Sequence, residues 1–158
     1  MKKMVLTGIL SFLTAVIVTI GAFYFLAPSF MLLEDESKYG FEESVERFEA
    51  SVKEAGWKMP KVHDLQETMF NHGKDVKAVK VIELCHPDHA AKILEKDNER
   101  IVSSMMPCRV AIYEKNDGKV YVSRMNSRLM ASTMGKLISE VMAEAAAENE
   151  KMLKSILR

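Results

Sequence analysis

From Met4 to Leu33 the chain carries no charge; beyond Leu33, apolar and charged residues alternate in short periods to the end. The first stretch, Met4 to Ala27, is long enough for a helix across the hydrocarbon core, which takes about 20 apolar residues, and Pro28 is its expected stop. Phe30-Met31-Leu32-Leu33 then predicts a first strand. Phe41, Val45, Phe48, Val52 and Ala55 recur at helical steps, with Glu42 and Glu43 in the first turn and Gly56 as the stop. Trp57 to Asp64 reads as a strand broken by Pro60, which suits a sheet edge. Leu65 to His72 reads as a short helix ended by Gly73.

Val76 to Cys85 predicts a strand, and Pro87 fits the first position of a helix whose apolar side is Ala90, Ala91, Ile93 and Leu94. Asp97 to Ser104 reads as a loop. Cys108, Val110 and Ile112 alternate with Arg109 and Ala111 as a half-buried strand does, and Asn116-Asp117-Gly118 turns it back through Val120 to Met125. Ser127 is the expected cap of one long last helix, with Met130, Met134, Leu137, Ile138, Val141, Met142 and Ala145 on its stripe and Met152, Leu153 and Ile156 extending it.

This order predicts an α+β domain: a two-layer sandwich with a largely antiparallel sheet of about five strands and helices on one face, preceded by one transmembrane helix. Residues 1–28 are assigned to the anchor and 29–158 to the domain. The chain of 158 residues suits a single domain. There are no repeats, no glycine-rich dinucleotide loop and no P-loop.

Charge sharpens the picture. All 22 acids and 20 of the 22 bases lie beyond Leu33, a formal balance of −2, which argues against nucleic acid as a partner. Lys2 and Lys3 precede the apolar stretch, and Glu34, Asp35 and Glu36 follow it. The positive-inside rule then puts the N-terminus in the cytoplasm and the domain outside, periplasmic or extracellular, as a single-pass protein of the cytoplasmic membrane. The bilayer is thus the expected partner of residues 4–27. The run is longer than a cleaved signal usually has, and no Ala-x-Ala site follows it. No cysteine precedes Cys85, which excludes an N-terminal lipid-modified cysteine. Self-association or a membrane partner stays open.

Candidate chemistry gathers between Cys85 and Cys108, the two cysteines of the protein. Export would permit a disulfide, and adjacent antiparallel strands would bring the two within reach; merely buried thiols are the alternative. His86 and His89, three apart at a helix start, can share a face. With Cys85, Cys108, Met106 and Glu83 nearby they could hold a metal, haem iron or a small ligand. The spacing matches no zinc-finger or covalent-haem pattern, so neither metal nor cofactor is assigned. Thiol-disulfide chemistry would normally show Cys-x-x-Cys, which is absent. His63 and His72 read as isolated surface or strand-end residues. The expectation is a binding or sensing domain whose Cys85/Cys108 neighbourhood handles a metal, haem or small ligand or serves as a redox-sensitive clasp; the alternatives are a thiol-based oxidoreductase and a structural or partner-binding domain with core cysteines.

Ser37-Lys38-Tyr39, Gly56, Cys85-His86-Pro87 with Ala90 or Ala91, and Met106-Pro107-Cys108-Arg109 together resemble the family called "domain of unknown function 302", from about residue 30 to about residue 125. Its pieces are Cys-Asn-Pro before a helix and Leu-Pro-Cys at the next strand. Cys85, Pro87, Pro107 and Cys108 match; His86 stands for the asparagine and Met106 for the leucine. The resemblance implies a two-layer fold with an antiparallel sheet, with Pro87 and Pro107 as structural turns, and no established activity.

Overall fold

The uncharged stretch forms a single helix, α1 (Lys2–Met31), in a computed structural model that describes residues 2–158, with side chains described from Thr7 onward. Thr7–Met31 is long and apolar enough to cross a membrane, and no residue of its most apolar part is buried inside the rest of the chain. The side chains of Lys2 and Lys3, on which the expected orientation rests, lie outside the described side chains. Pro28 does not end α1 but sits inside it. Its missing N–H forfeits one backbone hydrogen bond; an unwound turn among apolar residues would forfeit several. The first strand therefore starts later than expected, as β1 (Leu32–Glu36).

The periodic stripe from Phe41 forms α2 (Phe41–Glu54), with Phe48 and Val52 fully buried. Gly56 follows at φ +78°, a conformation that releases the chain from the helix. Pro60 interrupts the next run. Lys58 alone pairs with Cys85 before β2 (Val62–Asp64) takes up the sheet edge. Then come α3 (Leu65–Phe70), β3 (Val79–Leu84) and α4 (Pro87–Leu94), the last with Pro87 in its first turn. The stretch read as a loop is a 3-10 turn, Glu99–Met105, because Val102 is drawn into a buried cluster with Ile93, Ala131 and Ile138. β4 (Cys108–Glu114) and β5 (Val120–Met125) form the expected hairpin.

The single last helix is two. Asn126, not Ser127, caps α5 (Ser127–Ala131), its Oδ1 accepting from Leu129 N at 3.2 Å. Gly135, at φ +90° and ψ 163°, breaks the chain before α6 (Lys136–Leu153) in a region only glycine adopts freely.

All five strands pair antiparallel in the order β1-β5-β4-β3-β2. Alternation puts Ile82, Leu84, Val110, Ile112, Val120 and Val122 on one face, buried under α2 and α6. Arg124 falls on that face too; it stays buried by pairing with Asp35 and, at 2.7 Å, with Glu150. The register sets Leu32 opposite Met125 and Leu84 opposite Cys108, so α1 leaves and the cysteines sit at the same end of the sheet. A smaller core of Ile93, Val102, Ala131, Ile138, Val141 and Met142 caps that end.

Candidate functional site

At that capped end the sheet and the helices leave a cavity of about 30 Å³, lined by Trp57, Cys85, His86, His89, Met106, Pro107 and Cys108 with apolar residues of α4 and α6. Each wall follows from local sequence. β3 stops at Leu84, and Cys85 closes the ladder by exchanging two 2.9 Å backbone hydrogen bonds with Lys58. His86 is the extended residue before α4, where the pyrrolidine of Pro87 favours extended backbone. His89, one turn on, lies over it, with ring centroids 4.5 Å apart. Trp57, delivered by the Gly56 turn, packs edge-on to His86 at 5.5 Å. Met106 and Pro107, joined by a cis peptide, lead into β4.

The polar contacts converge on Glu148 of α6. One carboxylate oxygen accepts from Trp57 Nε1 at 2.8 Å, and the other lies 3.1 Å from His89 Nε2. Burial works to raise the Glu148 carboxyl, but the Trp57 and His89 contacts outweigh it and hold it below the usual carboxylate range. Glu144 stands 3.7 Å from His89 Nδ1. Nδ1 of His86 and Nδ1 of His89 are both buried and have no hydrogen-bond partner. Buried polar atoms are normally paired, so two orphaned nitrogens in one cleft call for an explanation. Ligand atoms of His86, His89 and Glu148 lie within 4.8 Å of one another, a donor set that could hold a metal ion.

The stretch singled out in the sequence separates into distinct parts. His86 and His89 come together. Cys85 and Cys108 line the same cavity but stand outside the converging set, and both are free thiols with no disulfide between them. The clasp considered from sequence is therefore open here. Burial, with the nearby Cys85, pushes the Cys108 thiol up. Met106 lines the cavity as well. Glu83 does not belong to it: strand alternation turns it to the opposite face, where it meets His63 Nε2 at 3.1 Å and Arg109 at 3.5 Å. His63 accordingly has a partner, and contact with it lowers the Glu83 carboxyl. His72 Nδ1 meets the Thr68 carbonyl on the surface.

Sequence reasoning missed Trp57 and Glu148. A signal for Glu148 was present: Val141 and Ala145 lie on the buried stripe, and the next position in step is Glu148, a carboxylate where an apolar residue was due. Trp57 carried no such mark.

The kinship of the chain rests on more than the cysteine-proline pieces. The family described as "Domain of unknown function DUF302" matches residues 33–158, which includes the last helix as well as both pieces. The chain belongs to the DUF302 family. In this DUF302 chain α1 lies outside the matched residues. No curated protein sequence matches it significantly. Among solved structures it is similar to an uncharacterized conserved DUF302 protein from Bacillus stearothermophilus, with a TM-score of 0.71 and 21% identity over 80% of this chain and 98% of that one. At that identity the likeness speaks for the fold of the DUF302 domain and for nothing finer.

Proposed function

We propose that this protein is a membrane-tethered metal-binding domain, in which His86, His89 and Glu148 hold an exchangeable divalent transition-metal ion. The observation that carries the reading is the convergence of those three ligand atoms within 4.8 Å in a cleft holding two buried imidazole nitrogens that make no hydrogen bond, one of them 3.7 Å from Glu144. An ion about 2.0–2.1 Å from each nitrogen and oxygen would draw ligand atoms to roughly 3.4 Å apart, a contraction that rotamer adjustments can supply. Two imidazoles and a carboxylate suit zinc and its first-row neighbours and leave a coordination position open for exchange. Trp57 is the supporting partner that such sites employ, fixing the carboxylate by its second oxygen. The cavity, about 30 Å³, accommodates an ion or a water and is far too small for haem.

The thiol-based alternative has weaker support, because the thiolate is the reactive form and burial keeps Cys108 protonated. For the tether, α1 enters the cytoplasmic membrane with its N-terminus inside and the domain outside. Length, apolar composition and the flanking lysines support this, and protease accessibility in oriented vesicles tests it.

Equilibrium dialysis of the detergent-solubilised full chain against Zn²⁺ tests the site. One ion per chain is expected, weakened roughly tenfold or more by His89→Ala and by Glu148→Gln and little affected by Cys85→Ser. Stoichiometric binding that survives His89→Ala, or none at all, would overturn the reading.

A further inference from the structure

We infer that the helical cap over the cleft end of the sheet lies on the bilayer surface, with Leu129 and Met134 in the boundary between headgroups and acyl chains. The inference rests on the reading of α1 as a membrane span and goes beyond it: a tether alone would let the domain hang free. Here there is no tether length. α1 ends at Met31 and β1 begins at Leu32, so no residue separates the apolar helix from the sheet. The junction is also fastened sideways. Asn126 N donates to the Met31 carbonyl at 2.8 Å, and Asn126 Nδ2 donates to the Phe30 carbonyl at 3.0 Å. Asn126 is the cap of α5, so α5 starts where α1 emerges.

What α5 and the turn after it present is apolar. Leu129 is 48% exposed and Met134 37%, beside Phe30, Met31 and Leu32 at the helix end, each more than two-fifths exposed. Ile101, on the 3-10 turn that shares the same small core, is 79% exposed. Arg128 stands among them with no ion-pair partner among the described residues, and Lys136 stands there paired with Glu140 at 3.9 Å, while Glu99 lines the same groove as Ile101 and Met134. An apolar stripe edged by cations is the surface that settles about 5–10 Å into a headgroup layer, and each base near anionic lipid adds to its hold. The occupant is thus the leaflet that α1 leaves, continuous with the surface of α1 itself. One consequence follows for the site: Ile93, Val141 and Met142, which line the cavity, belong to the cap, so one wall of the cleft is built from the docked part.

Fluorescence in vesicles decides the matter. The full chain is reconstituted in phosphatidylcholine with anionic phosphatidylglycerol, with and without bromine on the acyl chains. Three variants are read against the unsubstituted chain, whose one tryptophan sets the background. Phe23→Trp reports on α1, Leu129→Trp on the cap, and Phe70→Trp on an exposed residue at the far end of the sheet, beyond the Asp64–Lys80 pair. Quenching of Phe23→Trp and Leu129→Trp by bromolipid, without quenching of Phe70→Trp, is the expected result. Quenching of Phe23→Trp with Leu129→Trp no more affected than Phe70→Trp overturns the docking and leaves the anchor standing. No quenching of Phe23→Trp overturns the anchor, and the docking with it. Met134→Trp gives the same readout if Leu129→Trp does not fold.

Discussion

Trp57 links the core to the cleft. Its ring is 4% exposed and packs into the main core, while its N–H holds Glu148 at 2.8 Å. Trp57→Phe keeps most of the ring and removes the donor. Zn²⁺ affinity should then fall about 10- to 100-fold, the usual effect of losing an outer partner of a ligand. Equilibrium dialysis reads this, and an unchanged affinity would separate Trp57 from the site. Arg124 makes a different case. Its side chain is 7% exposed, and Asp35 and Glu150 hold it from two elements. The double change Asp35→Asn, Glu150→Gln leaves that guanidinium without its counter-charges and should lower stability by about 3 kcal/mol, measured by urea unfolding. Glu83 shows why residue identity alone misleads: it is adjacent in sequence to the cleft residues, yet a one-residue step on a strand sends it to the other face.

Among the elements, the helices and strands that carry a clear period were legible. The stripe of α2, the alternation of β4 and the Asn116-Asp117-Gly118 turn each follow from spacing. What was not legible depended on competition between a local signal and a tertiary one. Pro28 lost to the apolar run around it, Val102 pulled a loop into a 3-10 turn, and Gly135 cut a stripe whose apolar spacing continues across the break. Gly135→Ala tests the last point. Nothing crowds an added Cβ there, so the expense is backbone strain alone, about 1–3 kcal/mol. Thermal unfolding should detect it, and an unchanged melting temperature would mean that the break is not set by glycine.

Electrostatics at the element scale predicts an acid limb. Hydrogen bonds from Lys115 to Glu34, Lys119 to Glu36 and His63 to Glu83 hold all three carboxyls below their ordinary value of 4.5. Folded values below unfolded ones give stability that is present above pH 4.5 and lost as the pH falls through the folded values. At the other extreme, burial, with Glu34 adding, pushes the Tyr113 phenol up to about 12 from 10. That contribution is whole below pH 10 and is lost as the pH climbs toward 12. Melting temperature against pH should therefore decline at both ends. Tyr113→Phe should reduce the alkaline decline and, because the Tyr113 hydroxyl also donates to Glu34, weaken the Glu34 part of the acid one; an alkaline decline unchanged in Tyr113→Phe would contradict the assignment.

For the whole molecule, the antiparallel order brings the end of α1 and the strand ends bearing Cys85 and Cys108 to one end of the sheet. On the proposed reading, a metal-binding cleft at that end would lie close above the membrane, separated from it by the small helical cap. Because the ion binds the folded chain, Zn²⁺ at about 100 times its dissociation constant should raise stability by about 2.7 kcal/mol, an increment that His89→Ala removes. The central claim is that two imidazoles and a carboxylate, rather than the two thiols, hold the ion. Absorption of the Co²⁺-loaded full chain tests this most directly, since cobalt reports both its geometry and its ligands. The account predicts visible ligand-field bands that saturate at one Co²⁺ per chain, lack a sulfur-to-cobalt charge-transfer band in the near ultraviolet, persist in Cys85→Ser and vanish in His89→Ala. A strong sulfur charge-transfer band, or no saturable visible bands, would contradict it.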